Sequence, residues 1–305
     1  MNVRGAGSHA AARVEAQAKL NLFLRVLDRE ASGYHRLETL FQRIALADTV
    51  VVRTDVAGRS LDCRGADAGP VEKNLAWRAA NAFATASSWP DGFRIEIEKR
   101  IPVGGGLGGG SADAAAVLRA LNTLAPCPLD AESLAVIAFG LGADVPYLLS
   151  GYPLALGTGH GERLAALGPL PARMVMLFVP PFGVSSNDAF AWHAALRGDN
   201  PGSTHPPLLL PAPLSWYVTS AYASNDLEAA VFARYPELAE MRDALARSGA
   251  RIARMTGSGS TLFGVYDMGA VREDVEIDVG VDLDHFAARL IETETVQNVA
   301  EVELL

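Results

Sequence analysis

The sequence predicts an α+β fold in two domains, and three observations carry the prediction. Strand-like runs with period-two alternation and helix-like runs follow one another without a regular strand–helix–strand beat, which fits layered α+β architecture better than a doubly wound sheet. The chain has 305 residues, room for two domains at the usual ~100–200 residues each. Half of its residues are hydrophobic, enough to fill sizeable cores. The boundary is placed near residue 165, giving domains 1–165 and 166–305.

The elements follow in order. In "EAQAKLNLFLRVLD", Leu20, Leu22, Leu24 and Val26 fall on one strand face, while Lys19 and Asn21 share the other. "SGYHR" reads as a turn. "LETLFQRIALADTVVVR" ends as a strand, but its first half suits a helix start equally well. "NLAWRAANAFATAS" is a helix with Asn74 as its cap, and Pro90 and Gly92 end any continuation. "FRIEIEKRI" alternates as a half-exposed strand. A glycine run then leads into the helix "SADAAAVLRALNTL", and Asp130 can cap a further helix in "DAESLAVIAFGLG". "ARMVMLFV" reads as a strand, and 196–214, rich in proline, as a long loop. "DLEAAVFARYPELAEMRDALARSG" reads as one strong helix closed by Gly249. Strand "ARIARM", glycine turn "TGSGS" and strand "TLFGVY" complete the readable pattern.

Composition narrows the function. A net charge of −9 argues against a general nucleic-acid binder, which shows a basic surface, yet a local pocket can still be positive. Cys63 and Cys127 have no CxxC spacing, so a disulfide framework or structural zinc site is not expected and a reducing compartment fits. The first dozen residues lack a signal-peptide core, and no run reaches the ~20 apolar residues of a membrane span. A soluble cytoplasmic protein is the expectation. Only three of the 26 basic residues are lysine, at 19, 73 and 99, which singles out a lysine placed in an apolar strand.

The stretch "IPVGGGLGGGSADAAA" carries the chemistry. A strand, a glycine run and a helix in that order make an anion site: first-turn N–H groups lack internal partners, the helix dipole adds positive charge, and glycines let a phosphate reach the backbone. Ser111 can cap the helix or offer its hydroxyl to a phosphate or metal. A Walker A loop fails for want of a lysine. A dinucleotide fingerprint fails because no second strand ends in an acid about twenty residues on. A protein-kinase glycine loop joins two strands, whereas this one enters a helix. A merely structural turn stays open. Asp144 stands before Val145-Pro146, where proline favours an extended predecessor, and it reads either as a functional carboxylate or as a helix cap. "TGSGST" reads alone as an ordinary hairpin.

Taken together, "AQAKLNLFLRVLDREASGYHRLETLF", "IPVGGGLGGGSADAAAVLRALN", "GADVPYLLSG", "SNDLEAAVFARYPEL" and "MTGSGSTLFG" resemble the blocks of the 4-diphosphocytidyl-2-C-methyl-D-erythritol kinase family of the GHMP kinase superfamily. The match runs in order from about residue 16 to 264. The resemblance implies a two-domain GHMP kinase fold, with an N-terminal α/β nucleotide-binding domain and a C-terminal ferredoxin-like domain. It implies ATP as phosphate donor, Mg2+ as cofactor and a cytidyl-diphosphate methylerythritol alcohol as acceptor, in the non-mevalonate isoprenoid pathway. No nucleic-acid or membrane partner is implied.

Carried over residue by residue, Asp144 matches the catalytic base and Lys19 its paired lysine. Pro102, Val103, Gly104, Gly105, Gly106, Leu107, Gly108, Gly109, Gly110, Ser111 and Ala112 match the ATP-phosphate loop. Asn21, Tyr34 and His35 match substrate contacts. Phe190 lies where relatives carry the aromatic that stacks on cytosine, with Trp192 the near alternative; Gly257, Ser258 and Gly259 are further substrate-binding expectations. Where many relatives have a second serine this chain has Ala112, so a hydroxyl for the metal rests on Ser111. Residues 267–305 and 196–214 match the family weakly. Another GHMP alcohol kinase, or a non-catalytic nucleotide sensor on the same fold, are the competing readings.

Overall fold

The computed structural model describes residues 10–29, 35–66, 69–197, 210–267 and 288–305. Two sheets organise the chain. The first contains β1 (Ala11–Arg29), β2 (His35–Arg53), β3 (Arg59–Arg64), β4 (Phe93–Glu98), β5 (Leu154–Gly159), β6 (Arg163–Ala166) and β11 (Val302–Leu304). Its path runs β11-β1-β2-β4-β3, with β5 joined to β2 and β6 to β5. Only β3 and β4 pair parallel.

β2 is one continuous strand, which settles its ambiguous first half. Seven successive residues, Glu38–Ile44, are buried, so no period-two signal survives to mark a strand covered on both faces. It reaches two partners, pairing β5 through Leu37–Gln42 and β4 through Thr49–Arg53.

The register of β1 against β2 shifts between Gln17 and Lys19 and again between Asn21 and Phe23. Such irregularities re-aim side chains beside functional sites, and here they bracket Lys19 and Asn21. They also divide the leucine face: Leu20 and Leu22 enter the core of the first sheet, whereas Leu24 and Val26 enter that of the second. β1 thus ties the two cores together.

Four helices cover the first sheet: α1 (Leu75–Ser87), α2 (Gly109–Leu124), α3 (Ala131–Leu141) and α4 (Val145–Leu149). The caps are those expected, with Asn74 accepting from the Ala76 N–H at 2.9 Å and Asp130 from that of Ser133 at 2.8 Å. The small residues Ala112, Ala114, Ala115 and Ala116 are buried, which lets α2 pack closely against β1 and β2.

The second sheet contains β7 (Met174–Val179), β8 (Ile252–Met255), β9 (Leu262–Tyr266) and β10 (Arg289–Glu294). Its order is β10-β7-β9-β8, with every pairing antiparallel. Numbered by its own strands this is 4-1-3-2, the ferredoxin-like arrangement the resemblance implied. With it stand α5 (Ser186–Arg197), α6 (Trp216–Tyr222), α7 (Glu228–Phe232) and α8 (Pro236–Arg247). The helix expected across 226–249 is therefore two. Pro236 opens α8, since a proline inside a helix removes an N–H and clashes with the preceding turn but fits the first position. Gly249 follows α8 with φ 97°, as expected of a helix end.

Candidate active site

An open cleft of about 1660 Å³ lies where the two sheets meet, lined by β1, β2, the glycine loop, the 139–144 segment, α5 and the 257–258 turn. Most of the expected site residues line it: Lys19, Asn21, His35, the run from Pro102 to Ser111, Asp144, Phe190, Gly257 and Ser258. Ala112 is buried behind the loop. Gly259 is not on the cleft wall; it packs on Met255, whose sulfur lies 2.5 Å from where a Cβ would stand. Trp192 is half-buried against the second core, tilted on Tyr235 at 6.3 Å and under the Arg234 guanidinium. Tyr34 lies outside the described residues.

Within the loop, φ is positive at every second residue, 77° at Gly104, 79° at Gly106 and 75° at Gly108. Gly106 is the tightest point, because a Cβ there would stand 2.2 Å from the Thr256 carbonyl oxygen. The "TGSGST" turn between β8 and β9 is therefore more than a hairpin; it packs directly on the glycine loop, and Thr261 N–H donates to the Gly105 carbonyl at 3.2 Å. Asn225 fixes that turn. Its amide donates to the carbonyls of Met255 at 2.7 Å and Gly257 at 2.8 Å, while its oxygen accepts from Leu227 N–H at 3.0 Å.

Beneath the loop lies a buried ionic cluster that sequence reasoning did not assemble. Lys99 Nζ bridges Asp48 and Asp113, the latter at 2.7 Å. Asp48 in turn accepts from the N–H groups of Arg100 at 2.5 Å and Ile101 at 2.8 Å. Residues on both sides of the loop are thereby fastened together. Burial pushes the Asp113 carboxyl up to about 7, against the pull of Lys99. The scarcity of lysine was the available signal: all three lysines, 19, 73 and 99, line this cleft.

Lys19 is 3% exposed and its ammonium lies 3.3 Å from Asp144 Oδ2, with Asp144 32% exposed toward the cleft. Lys19 also donates to Asn21 Oδ1 at 2.6 Å, and Asn21 donates to Thr39 Oγ1 at 2.8 Å. The Phe41 ring lies 5.9 Å from the ammonium. Asp144 stands at the N-cap position of α4, but its side chain makes no capping bond; it turns to Lys19 instead. Val145 is helical rather than extended, because Pro146 falls in the first turn of α4, where a missing N–H is tolerated.

Further along the cleft, His35 stacks on Phe190 with ring centroids 5.5 Å apart and planes 16° apart. A second such pair, Phe139 and His160 at 6.3 Å and 14°, lines the same cleft. Neither was among the expected site residues: the sequence offers no metal spacing around His160, which reads there as surface or structural.

A strand–glycine loop–helix unit faces a lysine–carboxylate pair between the two layers, and the families and relatives that match make the chain a small-molecule kinase of the GHMP class with ATP as co-substrate. The GHMP kinases N terminal domain family matches residues 74–152, and the GHMP kinases C terminal family residues 217–277. A 4-diphosphocytidyl-2-C-methyl-D-erythritol kinase from Geobacter sp. (strain M21) is 41% identical, over 83% of this chain and 88% of that protein. One of the same name from Pelotomaculum thermopropionicum is 41% identical, over 82% and 87%. The chain belongs to the 4-diphosphocytidyl-2-C-methyl-D-erythritol kinase family. A crystal structure of 4-(cytidine 5'-diphospho)-2C-methyl-D-erythritol kinase matches with a TM-score of 0.74 at 36% identity, over 93% of this chain and 98% of that one. A homoserine kinase from Cytophaga hutchinsonii matches in fold, with a TM-score of 0.71 at 18% identity.

Proposed function

We propose that this chain transfers the γ-phosphate of ATP to the 2-hydroxyl of 4-diphosphocytidyl-2-C-methyl-D-erythritol, on the non-mevalonate route to isoprenoid precursors. The observation that carries this reading is the Lys19–Asp144 pair, set in one cleft with the glycine loop. That cleft, at about 1660 Å³, exceeds the ~300–1,000 Å³ of a site for one small ligand. It has room for nucleotide and acceptor side by side.

The roles follow from chemistry. The N–H groups of residues 103–111 and the N-terminus of the 16-residue helix α2 hold the triphosphate. A tertiary alcohol is a poor nucleophile, so Asp144 accepts its proton as the new P–O bond forms. Lys19 holds that carboxylate and steadies charge on the phosphoryl group in flight. Asn21 anchors Lys19. Phe190 offers a ring face to the cytosine and His35 a hydrogen bond to its edge.

Magnesium fits the same wall. Among the described residues no three or more His, Cys, Asp or Glu gather to hold a metal. That suits an ion taking most of its ligands from phosphate oxygens and water. Ser111, on the cleft wall, would hold it; when bound, the ion neutralises charge across the β- and γ-phosphates.

The first sheet with α1–α4 corresponds to the nucleotide domain and the second sheet to the C-terminal domain, with the seam near residue 165. β11 at the chain's end returns to the first sheet.

Coupled ADP release, with phosphorus NMR of the product, tests the assignment. The expected result is ADP release with the cytidyl alcohol, far above that with homoserine or mevalonate, and a new phosphomonoester on its 2-hydroxyl. Turnover of a different alcohol alone would favour another GHMP kinase. ATP binding without ADP release would favour a sensor.

A further inference from the structure

We propose that Arg43 is a positioning residue for phosphoryl transfer: by gripping the C-terminal end of α4, it sets where Asp144 stands at the other end. The proposal rests on the reading of Asp144 as the general base.

Arg43 on β2 is the register partner of Lys19 on β1. Directly opposed residues of an antiparallel pair send their side chains to the same face, so these two cations reach the same short helix from adjacent strands. Lys19 takes the N-terminal end, through Asp144 at 3.3 Å. Arg43 takes the C-terminal end. Its Nη2 donates to the carbonyls of Tyr147 at 3.0 Å, Leu148 at 2.8 Å and Ser150 at 2.9 Å, and its Nε to that of Tyr152 at 3.2 Å. The guanidinium also lies over the Tyr147 ring at 5.1 Å.

The energetics single this arginine out. Arg43 is only 2% exposed, and a buried charge is costly unless it is well hydrogen-bonded. Its hydrogen bonds go to carbonyls at and just beyond a helix end, which carry partial negative charge. Burial lowers its pKa to about 10, so it remains a cation at neutral pH. α4 has five residues, a rod of about 7.5 Å at the usual rise, and a helix that short has no stability of its own. Its direction is set by what holds its ends. The N-terminal end lacks a side-chain cap and is held through Asp144 by Lys19, while Arg43 holds the other end.

Further contacts transmit that grip to the cleft. The Tyr147 hydroxyl donates to the Pro153 carbonyl at 2.8 Å, and its ring stacks on Phe41 at 4.6 Å. Phe41 in turn lies under the Lys19 ammonium. A tilt of α4 therefore displaces the base and disturbs the support of its lysine together. A misplacement of about 1 Å costs on the order of 10²-fold in rate.

Arg43→Met and Arg43→Lys in the full chain, with Asp144→Asn alongside, test the proposal. For each we measure unfolding temperature, ATP dissociation constant, kcat and both KM values. Arg43→Met is expected to lose about 10- to 100-fold in kcat, with ATP affinity within about two-fold of wild type; Arg43→Lys falls between. If Asp144→Asn loses turnover while both Arg43 variants keep kcat, the positioning role is overturned and the base stands. A lower unfolding temperature with unchanged kcat, or a loss confined to ATP affinity, overturns it equally. If Arg43→Met fails to fold, Arg43→Lys decides by the same criteria. If Asp144→Asn keeps wild-type turnover, the base assignment and this proposal fall together.

Discussion

Replacing Gly106 by alanine should damage this protein far more than replacing Gly110, four residues on in the same glycine-rich run. Gly106 has φ 79°, a left-handed conformation that costs a residue with a side chain about 1–2 kcal/mol. The new methyl would also stand 2.2 Å from the Thr256 carbonyl oxygen and 3.3 Å from Gly259 N. Both are backbone atoms, so the 256–261 turn must move, an overpacking cost of about 1–3 kcal/mol. The expected loss is about 2–5 kcal/mol out of a typical ~5–15, so the variant still folds. Gly110 is helical, and its methyl would meet only Leu75 Cδ1 at 3.8 Å. Gly110→Ala should therefore gain about 0.5–1 kcal/mol. Urea unfolding of the two variants reads the difference directly. Calorimetric ATP titration should show Gly106→Ala binding at least about ten-fold more weakly, or 1.4 kcal/mol, because the displaced turn carries the phosphate loop with it. A Gly106→Ala protein within about 0.5 kcal/mol of wild type, a margin usual for inconsequential substitutions, would refute the packing of the two glycine turns.

Asn225→Leu should destabilise by at least about 2 kcal/mol in urea unfolding, because two carbonyls and an N–H lose their partner in a buried turn, at about 1–3 kcal/mol for each group left unsatisfied. Phe190→Ala should raise KM for the cytidyl substrate several-fold, in line with about 0.5–1.5 kcal/mol for a stacked ring, and leave KM for ATP unchanged in steady-state kinetics. Glu228 is a pH probe. Burial raises its pKa, so the folded state holds its proton to higher pH than the unfolded chain, and stability contributed by the protonated form is lost as pH rises from the usual carboxylate range through the raised value. Glu228→Gln keeps an acceptor for Met255 N–H, which now bonds Glu228 Oε1 at 2.8 Å. Melting curves should show the variant gaining on wild type as pH rises out of the usual carboxylate range.

What could be read from the sequence was whatever is local. Capped helices, alternating strands and the glycine cradle depend on neighbours within a few residues, and Asn74, Asp130 and the β4–loop–α2 unit are found where their spacing put them. The first half of β2 was ambiguous because burial on both faces erases alternation. The 226–249 helix was read through Pro236 because its apolar spacing continues across the break. Asp144 was legible as a choice between cap and functional carboxylate; its missing capping bond and its pairing with Lys19 at 3.3 Å were not, because those residues are far apart in sequence. The Asp48–Lys99–Asp113 cluster and the Arg43 grip were illegible for the same reason. Each joins residues tens of positions apart, and a lone buried charge in a strand pattern leaves no periodic trace.

The central claim is that the glycine loop holds the nucleotide while Asp144 primes the acceptor, two tasks on separate residues of one cleft. Single-turnover phosphoryl transfer by Asp144→Asn, measured together with its ATP dissociation constant, separates them. The account predicts a rate at least about 10²-fold below wild type with ATP bound as tightly as before. A transfer rate equal to wild type would contradict it.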